Sequence, residues 1–195
     1  MSLRSRARSL SVVAILAAGG TGLIGSTQTW LVAHVAQEEL AVPGASAVPV
    51  LQPLMLTALA LGLVLSLVGP VLRHVLGALA VLLGAVVAWL VAPVAVAPGV
   101  TAVASAVTER TGIAGEGIAD LVGRIDATPW PWVTLAASVI LVGAGGFVLA
   151  TARAWPRSGR RYDTDRASAA PAAASGPLDA VDSWDELSRG DDPTR

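Results

Sequence analysis

The sequence predicts an all-α integral membrane protein with four transmembrane helices, both termini cytoplasmic, short external helices between spans three and four, and a disordered C-terminal tail. Three observations carry that expectation. Of 195 residues, 54% are hydrophobic and 14% charged, whereas a soluble domain carries about a quarter charged residues. The apolar residues gather into runs that match the ~20 residues needed to cross a bilayer as helix. The basic residues, all 13 of them arginine, fall mostly on one side when those runs are threaded alternately through a membrane, and arginine is retained on the cytoplasmic side.

The fourth run sets the orientation. Residues 131–152 are apolar, with Trp130 and Trp132 marking a water interface at one end and Arg153, Trp155, Arg157, Arg160 and Arg161 holding the other end in the cytoplasm. Residues 1–9 form a cytoplasmic N-terminus with Arg4, Arg6 and Arg8, and 10–32 form span one. Arginines before an apolar run also describe a secretory signal peptide. The run continues to Trp30, Leu31 and Val32, long enough to cross, so a retained span is the preferred reading. Ala14, Ala18, Gly22 and Ser26 recur every fourth residue and make a face where another helix backbone can approach.

Residues 33–50 read as an external loop, with His34, Glu38, Glu39 and the turn formers Pro43 and Gly44. His34 beside two carboxylates raises the question of a metal. Without a second His at helical spacing or any Cys, a solvated loop histidine is preferred. Span two is 51–72, with Ala58, Gly62 and Ser66 as its small-residue ridge, and 73–74 is a tight cytoplasmic turn containing Arg73 and His74. One continuous helix would leave Arg73 in mid-membrane at about 2.5 to 3.5 kcal/mol. Span three is 75–95, with Ala80, Gly84, Ala88 and Ala92 in line, Trp89 near the outer interface, and prolines 93 and 98 ending it.

Residues 96–130 are too charged to span. Val100, Val103 and Val107 form one apolar stripe, and Ile118, Leu121, Val122 and Ile125 another at i, i+3, i+4 and i+7, so two short external amphipathic helices are expected. Glu116 and Asp120 lack the paired site or metal ligands that catalysis needs, which favours a scaffold role. In the fourth span Gly143, Gly145 and Gly146 permit close contacts.

Residues 153–195 form a cytoplasmic, mostly disordered tail rich in Ala, Ser, Pro and Asp. Near its end Ser183 and Glu186 have capping-box spacing around Trp184, Asp185, Glu186 and Leu187. So short a helix is marginal alone, which makes Trp184 and Leu187 candidate anchors for a cytoplasmic protein partner. The surrounding carboxylates disfavour anionic lipid and favour a basic groove. An acidic solubilising tail is the plainer reading.

Trp130-Pro131-Trp132, Trp155-Pro156, Gly159-Arg160-Arg161-Tyr162, Trp184-Asp185-Glu186-Leu187 and Gly190 through Thr194 carry a resemblance. They resemble the actinobacterial tryptophan-biosynthesis-associated membrane protein family, and the likeness extends to Thr29-Trp30 and to Arg73–Gly77. The resemblance implies a trp-operon region context in the bacterial cell membrane and assigns no catalytic residue. From the residues themselves, no nucleophile–base pair, phosphate loop, metal spacing or nucleic-acid motif is read, so no enzyme, cofactor, metal or nucleic-acid role is expected. The leading expectation is a non-enzymatic scaffold or interaction protein of the lipid bilayer, with small-residue faces that leave room for a homo-oligomer. The alternative is an accessory transporter of tryptophan or an aromatic precursor.

Overall fold

The computed structural model describes residues 3–35 and 38–151. In chain order the elements are α1 (Leu3–Thr27), β1 (Thr29–Val35), β2 (Glu38–Pro43), α2 (Gly44–Ala47), α3 (Leu51–Leu65), α4 (Pro70–Val96), α5 (Val100–Thr111), α6 (Gly117–Leu121), β3 (Val122–Ala127) and α7 (Trp130–Thr151). The protein is mostly helical, but the all-α expectation is corrected by a three-stranded antiparallel sheet in the order β2-β1-β3.

Each strand arises where local chemistry resists helix. Ser26 and Thr27 donate back to the carbonyls of Leu23 and Ile24 at 2.7 and 2.8 Å and close the last turn of α1. The chain then enters Thr-Trp-Leu-Val, whose β-branched and aromatic side chains favour strand. Helix through residue 32 is thereby replaced by β1 from Thr29 onward. In the same way the expected helix over residues 118–125 stops at Leu121, and Val122, Gly123 and Ile125 run as β3 beside β1.

Four longer helices, α1, α3, α4 and α7, pack as antiparallel neighbours: α3 lies on α1, α1 on α7, and α7 on α4. Three are long and apolar enough to cross a membrane, over Ala7–Thr27, Val71–Val96 and Trp130–Thr151. The apolar helix α3 has only 15 residues, about 22 Å at 1.5 Å per residue. It ends at Leu65, earlier than the expected residue 72, because Gly69 and Pro70 open the next helix and proline suits the first helical turn. The turn therefore precedes Arg73 and His74, which lie inside the start of α4.

The small-residue ridges lie where helices meet. A Cβ on Gly22 would come within 2.1 Å of Met55 Sδ on α3, and one on Gly145 within 2.8 Å of the Gly77 carbonyl and Val81 nitrogen on α4. The α4–α7 contact is therefore backbone against backbone, the fit that replaces hydrophobic drive inside lipid. Gly143 and Gly146, expected to allow the same, are exposed, and among the described residues a Cβ on either would meet nothing within 4 Å. Large apolar side chains face outward around the bundle, including Leu56, Leu63, Leu82, Trp89, Ile140 and Phe147.

Two apolar cores follow. One, built on Ile15, Ala58, Leu61, Leu65, Leu83, Leu141 and Val148, fills the bundle. The other joins the inner face of the sheet (Leu31, Ala33, Val42) to α5 (Val103, Val107), to Ile118 of α6 and to Met55, Val87 and Val91 of the bundle. The sheet with α2, α5 and α6 thus forms a cap at one end of the bundle. The N-termini of α1 and α4 lie at the other.

Candidate functional site

The cap carries the densest set of polar side chains among the described residues, and the strand register explains why they meet. His34 of β1 stands opposite Glu39 of β2 and opposite Arg124 of β3. Because side chains alternate across a strand, Asp126 shares the same outer face as Arg124. His34 Nε2 lies 3.0 Å from Asp126 Oδ2, His34 Nδ1 lies 3.9 Å from Glu39 Oε1, and Arg124 Nε donates to Asp126 Oδ1 at 2.7 Å. The middle strand is thus tied to both neighbours through one imidazole. The Arg124 hydrogen bond, aided by the one with His34 and opposed by partial desolvation, holds the Asp126 carboxyl below its ordinary value.

Farther along the hairpin, Arg110 at the end of α5 lies 3.7 Å from Glu38. Both border a cleft of about 170 Å³ lined also by Val35, Glu39, Leu40 and Thr111. A glycine in the left-handed conformation, Gly112 (φ 74°), ends α5 there. Glu116 and Asp120 are exposed. Among the described residues no group of three or more His, Asp or Glu side chains is placed to hold a metal ion.

Trp30 is the cap's anchor. Its side chain is fully buried, its Nε1 donates to the Gly25 carbonyl at 2.8 Å, and its ring covers Gly44, where any Cβ would approach within 2.5 Å. Expected near the end of the first span, Trp30 is instead a core residue of the cap because the chain folds back over it. Thr128 completes the junction: its hydroxyl donates to the Thr29 carbonyl at 2.7 Å, and its N–H donates to the Trp30 carbonyl at 2.8 Å.

Of the residues singled out for orientation, Arg4, Arg6 and Arg8 lie in α1, with Arg8 half-buried. Arg73 is fully buried, and its Nε donates to the Val68 carbonyl at 3.0 Å. The expectation of a tight turn at residues 73–74 is corrected there, since α4 starts at Pro70, early enough to draw Arg73 into the packed end of the bundle. Trp130 is half-buried in the first turn of α7, whereas Trp132 is 52% exposed. Arg153, Trp155, Arg157, Arg160, Arg161 and the proposed anchor Trp184, Asp185, Glu186 and Leu187 lie outside the described residues.

The pair His34–Asp126, separated by 92 positions, escaped a reading of 33–50 as loop. The signal that could have found it lies in the β-branched and aromatic residues Thr29, Trp30 and Val32, together with Val122 and Ile125, residue types that favour strand.

Apolar helices long enough to span, packed through small residues and closed at one end by a polar cap, define a small helical membrane protein. Residues 12–194 match the family described as tryptophan-associated transmembrane protein, and the chain belongs to that family. Neither a curated protein nor a solved structure matches it.

Proposed function

We propose that this protein is a non-enzymatic scaffold or interaction protein of tryptophan biosynthesis in the bacterial plasma membrane, crossing it four times with both termini in the cytoplasm. The observation that carries the reading is the close packing of the bundle. Gly77, Gly84 and Gly145 bring α4 and α7 into main-chain contact, which favours a rigid mount over a moving pathway. The polar chemistry lies on the cap instead.

Four crossings are supported by the antiparallel order of α1, α3, α4 and α7, with α3 short enough to need local thinning of the bilayer. The orientation is supported by Arg8 and Arg73 at the bundle end opposite the cap. The tail from residue 153 onward then extends into the cytoplasm, where Trp184 and Leu187 offer anchors to a basic groove. Pull-down with a peptide of residues 181–195 is expected to capture a tryptophan-pathway enzyme and to lose it in Trp184→Ala. If deleting the tail leaves the location and activity of the pathway enzymes unchanged, the scaffold reading fails.

A fully buried arginine near a helix end favours a second reading, an accessory transporter of tryptophan or an aromatic precursor, since charged groups within membrane helices commonly mark substrate paths. Flux of labelled tryptophan into proteoliposomes decides between them. Its absence in well-folded protein retires transport.

A further inference from the structure

Among the described residues β3 is an edge strand, hydrogen-bonded on one side to β1. The pairs Leu31/Ala127, Val32/Asp126, Ala33/Ile125 and His34/Arg124 set its register, and the Thr128 N–H bonds to the Trp30 carbonyl. Main-chain groups in an antiparallel ladder point alternately toward and away from the partner strand. Because Thr128 bonds toward β1, so do Asp126 and Arg124, and the N–H and C=O groups of Ile125 and Ala127 point away. On the outer face of the same edge stand Arg124 and Asp126, with side chains 74% and 42% exposed.

We propose that this edge pairs antiparallel with β3 of a second copy of the chain, Ile125 opposite Ile125, so that Arg124 of each copy faces the partner's Asp126. Charge selects that register. With Ile125 on the two-fold axis, both Arg–Asp pairs fall at the non-hydrogen-bonded positions, where facing side chains come closest. A slip of two residues one way sets Arg124 against Arg124, and the other way sets Asp126 against Asp126. Like charges directly opposite destabilise a sheet, whereas opposite charges contribute to its pairing. The tripeptide Arg124-Ile125-Asp126 is its own complement, and the product is one continuous sheet running β2-β1-β3 into the partner's β3-β1-β2.

The test uses the full chain in detergent, which leaves the partner bundle free to adopt either orientation. Light scattering after size exclusion is expected to show a dimer. Arg124→Asp is expected to weaken it about tenfold or more, since both cross-pairs become repulsive, and the double reversal R124D/D126R is expected to restore it. The chain has no cysteine, so a second measurement is clean. Under mild oxidation R124C/D126C is expected to form a disulfide-linked dimer, and neither single cysteine variant does. A monomeric wild type, a dimer indifferent to Arg124→Asp, or efficient crosslinking by R124C or D126C alone would overturn the proposal.

Discussion

Replacing Trp30 by alanine should open the cap while leaving the bundle formed. The indole is fully buried in the core shared by the sheet, α5 and the bundle, and truncating such a side chain costs about 3 to 5 kcal/mol. It also removes the hydrogen bond to the Gly25 carbonyl and leaves Gly44 without its cover. The second core, on Ile15, Leu61, Leu83 and Leu141, contains no atom of Trp30. At about 1.4 kcal/mol per tenfold, the loss lowers amide protection in β1 and β3 by roughly 100- to 4,000-fold. Hydrogen exchange of detergent-solubilised protein, read by mass spectrometry on peptides of the strands and of α4 and α7, measures it. Strand protection within threefold of wild type, or an equal loss in α4 and α7, would refute the idea of a cap that opens separately.

Gly145→Val is expected to destabilise by about 1 to 3 kcal/mol through overpacking, because its Cβ meets main-chain atoms of α4, whereas Gly143→Val has open space and leaves the melting temperature in detergent unchanged. Thr134, buried with no hydrogen-bond partner for its hydroxyl among the described residues, should tolerate Thr134→Val with equal or slightly higher stability, up to about 1 kcal/mol. For Asp126, a folded-state value held below the unfolded one means that its contribution is present above the unfolded carboxylate range, near pH 4, and is lost as pH falls through the folded value. Acid melting curves of wild type and Asp126→Asn should therefore converge as pH drops below about 4 and separate above it.

The helices were legible because their signals are local. Small residues every fourth position in α1, α3 and α4 marked the packing faces that the structure uses. The valine stripe of α5 turned inward as its spacing implied. The sheet was not legible in the same way, since β1 and β3 lie nearly a hundred residues apart and β3 pairs only with β1 among the described residues. Val122 and Ile125 also fit a helical period, and that coincidence outweighed a strand of six residues whose partner was unknown. Arg73 was expected in the turn itself but lies inside α4, because a proline that starts a helix and one that ends it look alike in a single sequence.

The threonine at the junction of strand and last helix bears on how the molecule is made. Thr128 reaches back to Thr29 across 99 positions, so β1 emerges from the ribosome early and finds β3 only when residues 122–128 follow. Loop closure of that length makes the contact late. Closure of the cap then waits until the chain has been made through Thr128, just ahead of the last helix, and a chain truncated before residue 122 keeps the middle strand of its sheet exposed along one edge, a ready target for quality-control proteases.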